Sequence, residues 1–402
     1  MPHENTLIAT IAVSLAFAFA GGFIAVRLRL PPLIGYLLAG IAVGPFTPGF
    51  VADVNLAPQI AEIGVVLLMF GVGLHFSMSD LLAVRRIALP GAVAQILAAT
   101  MLGMAAASLW GWSFGAGLVF GLALSVASTV VLLRALEDRN SLRSAEGHIA
   151  VGWLIVEDLV MVITLVLLPA LAEPLGGQTI EAGHAAAGGS LWLTLGLTLG
   201  KVAAFVAVML LIGTRIFPWL LKRVERTGSR ELFTLAAAAL ALGVAFASAE
   251  LFGVSLALGA FFAGAVINES ELGHRAATDL QPLQDIFAVL FFVAVGMLFD
   301  PSILLAKPLQ VLTVLGIVVI GKSLAAYGIV RMLRYPADTA LLISAALAQI
   351  GEFSFILAAL GISLGLLPPD GLSLILAGAL LSITLNPLVF AIAGRLKSRQ
   401  AS

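Results

Sequence analysis

Two acidic residues, Glu157 and Asp158, are adjacent in the middle of an apolar run that extends from Val151 to Leu168. A charged side chain at the centre of a membrane helix costs roughly 2.5–3.5 kcal/mol on insertion scales. Acidic residues at such a place therefore mark an ion or proton pathway unless a basic partner neutralises them. The pair predicts a site where a carboxylate binds a proton or a monovalent cation, with Asp158 and Glu157 as its ligands.

Three hydroxyl residues in another apolar run have the spacing of one helical face. Ser125, Ser128 and Thr129 occur at i, i+3 and i+4, which predicts that their side chains lie together on a continuous helix. Such hydroxyls either ligate a hard monovalent cation or bond carbonyls of their own helix without a functional role. The sequence leaves both alternatives open.

Further polar residues interrupt two more apolar runs. Gln349, Gly351 and Glu352 lie together in one of them, which predicts a broken helix whose free carbonyls and dipole ends face the site. Lys322 lies near the middle of the other run, where a lone ammonium is not tolerated. We expect it to pair with Glu157, either as a purely structural salt bridge or as a pair that releases its proton during a cycle.

The composition excludes several classes of protein. The chain has 61% hydrophobic and 11% charged residues and a net charge of −1, so hydrocarbon is the expected solvent for most of it. A soluble enzyme and a nucleic-acid-binding protein are therefore not expected. The absence of cysteine excludes disulfides, and the five histidines have no metal-ligand spacing, so no cofactor is expected.

The apolar runs predict an all-α membrane protein. About 20 apolar residues cross a bilayer, and turn or charge clusters divide the sequence into thirteen runs. They are approximately 6–26, 31–45, 59–76, 87–109, 115–134, 147–171, 190–213, 231–249, 254–268, 283–299, 309–332, 338–362 and 371–394. Basic residues follow the first run instead of preceding it, so that run is expected to remain as a span and not to be cleaved.

The basic residues give an orientation. All but three of the 21 lysines and arginines, namely Lys201, Lys307 and Lys322, fall in alternate loops. Because positive charge collects on the cytoplasmic side, we expect the N-terminus outside and the C-terminus in the cytoplasm. The expected location is the cell (inner) membrane.

The sequence also contains an internal repeat. Ile63–Phe76 aligns without gaps on Ile286–Phe299 at a shift of 223 residues, and Gly35–Gly40 resembles Gly259–Gly264. The shift covers seven predicted crossings, an odd number, so the copies have inverted topology, which is typical of transporters with a midplane site. We expect one transmembrane transport domain, 1–402, made of two six-helix repeats, 1–172 and 230–396, joined by a helix and loops at 173–229.

Together these motifs resemble the monovalent cation:proton antiporter-2 family, in particular its Kef/YbaL-type membrane domain. The resemblance extends over nearly the whole chain and includes Pro32–Pro45, Ala127–Thr129, Phe291–Met297 and Ala348–Phe353. It implies a homodimer in which a mobile core moves past a dimerisation scaffold. By this likeness Asp158 carries cation and proton in alternation, Ser128 and Thr129 line its site, and Lys322 lies beside it.

Two departures from the family bear on regulation. Glutathione-gated Kef systems carry Gln before the aspartate, where this chain has Glu157, and their regulatory loop is only partly echoed by Glu269–Arg275. Relatives continue into a cytoplasmic nucleotide-binding regulatory domain, which is absent from this sequence of 402 residues. Either the sequence ends before such a domain or the protein lacks that control. The expected partners are the lipid bilayer and, where the control exists, a cytoplasmic regulatory domain or subunit.

The predicted function is secondary active exchange of K⁺ or Na⁺ for protons by alternating access. Asp158 binds either ion but not both, and Gln349, Glu352 and Ser125 have supporting roles. Two rival hypotheses remain: a gated K⁺ efflux channel-like protein without obligatory proton coupling, and a membrane receptor or scaffold in which the buried charges only hold helices together.

Overall fold

The computed structural model describes residues 6–48, 56–75, 78–137, 139–141, 144–178 and 191–400, and these form helices joined by short connections. In chain order the helices are α1 Thr6–Arg27, α2 Pro32–Val43, α3 Leu56–His75, α4 Met78–Leu109, α5 Phe114–Ser125, α6 Thr129–Glu137, α7 Ala145–Leu171, α8 Leu191–Val208, α9 Thr214–Glu225, α10 Arg230–Phe252, α11 Leu256–Asn268, α12 Gly273–Met297, α13 Ile303–Ala306, α14 Pro308–Gly316, α15 Lys322–Met332, α16 Ala337–Ala346, α17 Glu352–Ser363 and α18 Pro369–Gln400. Short π-helical turns join α8 to α9 and α14 to α15.

The described part of the chain contains eight helices that are long and apolar enough to cross a membrane. Shorter apolar helical stretches of 10–17 residues lie in α2, α3 (Gln59–Leu74), α5, α11, α16 and α17. The all-α membrane class is therefore confirmed. Helical segments lie within each of the thirteen predicted runs, whereas the number of crossings, the repeat and the orientation of the termini stay predictions. Phe76, which ends one copy of the repeat, and residue 190, which begins one run, lie outside the described residues.

The helices pack in two groups. In the first group α3 packs against α11 and α12, and α2 packs against α1 and α12. In the second group α4 packs against α5, α7 and α15, and α16 and α17 pack against α18. Small residues allow close contact in the first group, because a Cβ at Gly40 would lie 2.1 Å from the Val293 carbonyl oxygen and one at Gly296 would lie 2.2 Å from that of Leu37.

Two predicted runs are broken in their middle. α16 ends at Ala346 and α17 begins at Glu352, so the break predicted from Gln349, Gly351 and Glu352 is confirmed. The run 115–134 is also broken, because α5 ends at Ser125, Val126 is extended, and α6 begins at Thr129. The prediction that Ser125, Ser128 and Thr129 share one face of a continuous helix is therefore wrong.

Candidate functional site

The two unwound segments, residues 126–128 and 347–351, cross and are hydrogen-bonded to each other. The Gly351 N–H donates to the Val126 carbonyl at 3.2 Å. The Gln349 side chain holds both backbone groups of Ser128, accepting from its N–H at 2.8 Å and donating to its carbonyl at 3.1 Å. These bonds satisfy backbone groups that neither broken helix can satisfy itself, which is a requirement inside a membrane.

Gly351 allows this close crossing. A Cβ at this position would lie 2.5 Å from the Ala127 carbonyl oxygen and 2.9 Å from the Ser128 Cα. The crossing brings together the N-terminal ends of α6 and α17 and the C-terminal ends of α5 and α16. Partial positive and negative charges of the helix ends thus meet at one place.

Glu157 and Asp158 face this crossing from α7 but contact different groups. Glu157 is fully buried and its Oε2 accepts from the Ala127 N–H at 2.8 Å. Asp158 is 5% exposed and its Oδ2 accepts from the Thr129 hydroxyl at 3.1 Å. The first break therefore has one acidic residue bonded to its backbone and the other bonded to the first side chain of α6.

Glu352 adds a third carboxyl group to the cluster. It is the first residue of α17, where the N-terminal end of the helix favours a negative charge, and it is 2% exposed. The negative charges of Glu352 and Glu157 both act on Asp158. The Ser128 hydroxyl interacts with the carboxyl group of Glu352. The structure thus places three acidic side chains around one crossing.

Lys322 is the buried cation of this region. It begins α15 directly after the π-helical turn Ile317–Gly321, and its Nζ donates to the Gln349 carbonyl at 3.0 Å. Within the described part of the chain no carboxylate oxygen lies in ion-pair contact with it, so the predicted direct salt bridge to Glu157 is not formed. The charges of Lys322 and Glu157 nevertheless interact at longer range.

The three predicted hydroxyl residues have three different contacts. The Ser125 hydroxyl donates to the Leu122 carbonyl of its own helix at 2.7 Å. The Ser128 hydroxyl accepts from the Val131 N–H at 3.3 Å and so caps the first turn of α6. The Thr129 hydroxyl donates to Asp158 Oδ2 at 3.1 Å, and the Ser128 hydroxyl also interacts with the carboxyl group of Glu352.

Two amides that hold the breaks were not predicted from the sequence. Gln95 on α4 is fully buried and donates to the Ser125 carbonyl at 2.9 Å, at the end of α5. Asn386 on α18 donates to the Ala345 carbonyl at 2.9 Å, near the end of α16. Each is an uncharged polar residue in a long apolar helix. This isolated amide is the signal in the sequence that could have indicated both residues.

Each carboxyl group of the cluster has one oxygen available for a ligand. Asp158 Oδ1, Glu157 Oε1 and Glu352 Oε2 are buried and have no hydrogen bond of normal geometry among the described residues. The Trp153 indole nevertheless interacts with the Glu157 carboxyl group. Buried charges need compensation by a partner, a metal ion or a proton. With three carboxyl groups and one ammonium, this cluster can be compensated by protons or by a bound monovalent cation.

Cavities lie between the two groups of helices on either side of the crossing. One of about 550 Å³ is lined by Val131, two residues beyond Thr129 on α6. Another of about 480 Å³ is lined by Leu165, seven residues beyond Asp158 on α7. The carboxyl groups themselves are enclosed in this conformation, so exchange with either side requires a movement.

Two broken helices that cross beside buried carboxyl groups in an all-helical membrane protein define a secondary transporter. A family model, sodium/hydrogen exchanger, transmembrane, matches residues 13–395. The chain belongs to this family. The resemblance to the monovalent cation:proton antiporter-2 family is thereby confirmed. The protein is a multi-pass transporter of the cell (inner) membrane and not an enzyme.

Relatives agree with this assignment, and a solved structure shares the fold. The chain is 61% identical over 392 residues to the "Putative cation/proton antiporter YbaL" of Escherichia coli (strain K12), covering 98% of this chain and 69% of that protein. It is 33% identical over 386 residues to the K(+) efflux antiporter 4 of Arabidopsis thaliana, covering 96% of this chain and 63% of that one. The sodium proton antiporter MjNhaP1 from Methanocaldococcus jannaschii shares its fold, with a TM-score of 0.68 at 16% identity, covering 96% of this chain and 98% of that one.

Proposed function

We propose that the protein exchanges a monovalent cation, K⁺ or Na⁺, for protons, and that the two ions compete for Asp158. The observation that carries this proposal is the arrangement of Asp158, which has one oxygen bonded to the Thr129 hydroxyl and the other buried without a partner among the described residues. A proton or a cation on that oxygen compensates the buried charge, and the two cannot occupy it together. Transported ions are thus substrates of this site and not cofactors.

The neighbouring residues complete the proposed site. Thr129 and Ser128 offer hydroxyl oxygens to the cation, and Glu157 offers its free carboxylate oxygen. Lys322, through its bond to the Gln349 carbonyl and its charge, stabilises the site when no cation is bound. Gln349, Glu352 and Ser125 support the two breaks. They are not ligands of the cation that binds at Asp158.

We further propose that the chain crosses the membrane thirteen times as two inverted six-helix repeats, 1–172 and 230–396, with the N-terminus outside. The positions of the breaks support this proposal. At the shift of 223 residues, Thr129, which begins α6, corresponds to Glu352, which begins α17. The segment 173–229 then joins the repeats, and the C-terminus lies in the cytoplasm.

Alternating access follows from this arrangement as the proposed mechanism. The second group of helices, which contains α5, α6, α7 and α15–α17, carries the whole cluster and moves past the first group. The cavities of about 550 and 480 Å³ between the groups are the proposed places of entry and exit. By family likeness the first group also forms a homodimer, and a cytoplasmic regulatory domain or subunit acts on the transporter.

Proteoliposomes with an imposed pH gradient and clamped voltage test this function. Na⁺, K⁺ or Li⁺ is added separately, and we expect at least one of them to collapse the gradient and so identify the transported ion. Cation movement without proton movement would favour the channel-like alternative. No movement of either would leave the receptor or scaffold alternative.

A further inference from the structure

The cavity of about 550 Å³ has a charge that cation transport does not require. It lies between the α1–α2 corner and helices α6 and α18, and two arginines, Arg29 and Arg139, line it. No carboxylate lines it among the described residues. Two guanidinium groups at one cavity are suited to bind an anion, and arginine pairs well with phosphate.

Contacts hold the side chain of Arg139 and the backbone of Arg29. Arg139 donates from Nη1 to the Ala135 carbonyl at 2.9 Å, and its guanidinium lies 4.1 Å from the centre of the Phe390 ring. Arg29 occupies the left-handed backbone region with φ of 60°, which is uncommon for a residue other than glycine. Its N–H donates to the Val26 carbonyl at 3.0 Å and fixes the corner. The two arginines therefore reach the cavity from different elements, Arg29 from the α1–α2 corner and Arg139 from the segment that follows α6.

The surface beside the cavity is apolar. Ile24, Val26 and Leu28 at the end of α1 are 57%, 50% and 65% exposed, and α1 is long and apolar enough to span a membrane. Val26 also lines the cavity. A ligand that reaches the arginines from this side meets lipid-facing residues along the rest of its length. Basic pockets between membrane helices bind anionic lipid headgroups in this way.

We propose that this cavity binds the phosphate group of an anionic phospholipid through Arg29 and Arg139, with the acyl chains lying along α1. The far wall of the cavity contains Val131 and Ala135 of α6, together with Asn386, which holds the end of α16. The headgroup therefore bridges α1 and α2 to the helices that form the crossing. Its binding stabilises this arrangement of the two groups and occupies one of the two proposed places of entry and exit, so the bound lipid holds the protein in this conformation.

Thermal unfolding of the purified chain in detergent tests the proposal. We expect phosphatidylglycerol to raise the melting temperature, and zwitterionic phosphatidylcholine to have a much smaller effect. The phosphatidylglycerol concentration that gives half of the shift should rise about fivefold in Arg29→Gln or Arg139→Gln and about thirtyfold in the double variant, from about 1 kcal/mol per basic residue. Arg215→Gln removes an exposed arginine outside the cavity and should leave the response unchanged.

Inorganic phosphate distinguishes a lipid ligand from a soluble anion, because a phospholipid headgroup and free phosphate carry the same phosphate group. If inorganic phosphate raises the melting temperature as much as the lipid, with the same dependence on Arg29 and Arg139, the cavity binds phosphate. Its ligand is then a soluble anion, and the proposal of a lipid is overturned. An equal response of the double variant and the unchanged chain to phosphatidylglycerol would overturn the site. Because the readout is binding and not ion flux, this result does not depend on the proposed antiport.

Discussion

Among single residues, Asp158 and Glu157 are neighbours in sequence with separate tasks. Glu157 accepts the Ala127 N–H and so fixes the backbone of the first break, whereas Asp158 bonds to the Thr129 hydroxyl and keeps one oxygen free. The cluster contains a third carboxyl group, Glu352, and one ammonium, Lys322. This imbalance means that the cluster needs a proton or a cation, and we assign that ion to Asp158 because its contact is a hydroxyl side chain and not a backbone group.

Substitution Asp158→Asn tests that assignment. An amide has nearly the same shape and can keep the contact with the Thr129 hydroxyl, but it binds neither a proton nor a cation at neutral pH. We expect cation-dependent proton movement in proteoliposomes to fall to the level of protein-free vesicles, while the folded protein is retained. Asp300→Asn, outside the cluster, should keep exchange. Exchange that survives in the Asp158 variant would refute the assignment.

The longer-range interaction of Glu157 with Lys322 predicts that substitutions of these two residues have non-additive effects on stability. Lys322→Met also removes the donor to the Gln349 carbonyl, which costs about 1–3 kcal/mol for an unsatisfied buried group. We expect Glu157→Gln and Lys322→Met together to destabilise less than the sum of the single variants, by about 0.5–3 kcal/mol. Thermal unfolding of all four proteins measures this difference. Strict additivity would show that the two charges do not act on each other.

The charged members of the cluster could be predicted from sequence, because a charge inside an apolar run is costly and therefore conspicuous. Gln95 could not be assigned in the same way, since a neutral amide in a span is a weaker indication. The contact of Lys322 with a carbonyl, and not with a carboxylate, also depends on where the second break exposes the Gln349 carbonyl. That position becomes known only with the three-dimensional course of the chain.

Among the helical elements, the crossing of the two unwound segments determines the site. α6 and α17 begin there, and α5 and α16 end there. Gln95 and Asn386 satisfy carbonyls near the helix ends, and Gln349 holds the opposite segment. Each half-helix is thus fixed by side chains from other helices, and the helix ends act as partial charges at the site.

Gly351→Ala tests how tightly the segments must cross. The added Cβ would lie 2.5 Å from the Ala127 carbonyl oxygen, so the crossing must widen, at a cost of about 1–3 kcal/mol for overpacking. We expect a lower melting temperature and slower exchange. Gly328→Ala is the matched control, because nothing lies within 4 Å of its Cβ position on α15. Equal behaviour of the two variants would contradict the proposed tight crossing.

One break was predictable and the other was not. The segment 347–351 contains Gln349 and Gly351 and is followed directly by Glu352, whereas 126–128 reads Val-Ala-Ser and contains no helix breaker. That segment is unwound because its backbone groups bond to Gln349, Glu157 and Gly351 instead. Such tertiary contacts override local helix propensity, so the continuous helical face predicted for Ser125, Ser128 and Thr129 does not exist.

For the whole molecule, the two groups of helices are the moving parts of the proposed cycle. The cluster belongs to the group with α4–α7 and α14–α18, and the cavities lie along the boundary with the group containing α1–α3 and α10–α12. Hydropathy and the distribution of basic residues were sufficient to predict a multi-pass helical protein. They do not indicate which helices pack together, because interhelical contacts depend on small residues such as Gly40 and Gly296.

Crosslinking tests the relative movement of the groups, and the absence of native cysteine makes it simple. Ala61 on α3 and Ala359 on α17 line the cavity of about 480 Å³ from the two different groups. We expect a bifunctional thiol reagent to stop exchange in Ala61→Cys/Ala359→Cys, and a reagent with a reducible linker to allow recovery. Ala61→Cys/Ala257→Cys joins α3 to α11 within one group and should stay active. Full activity of the crosslinked first pair would exclude movement at this boundary.

The dependence of exchange kinetics on pH shows whether protons and cations compete at Asp158. The apparent KM for the cation and the maximal rate are measured in proteoliposomes at several pH values on the side of cation entry. Since each unit of pH changes the proton concentration tenfold, competition predicts that lowering the pH raises the KM by up to about tenfold per unit while the maximal rate stays constant. A maximal rate that falls with acidification at constant KM would contradict the account, because protons would then act at a place other than the cation site.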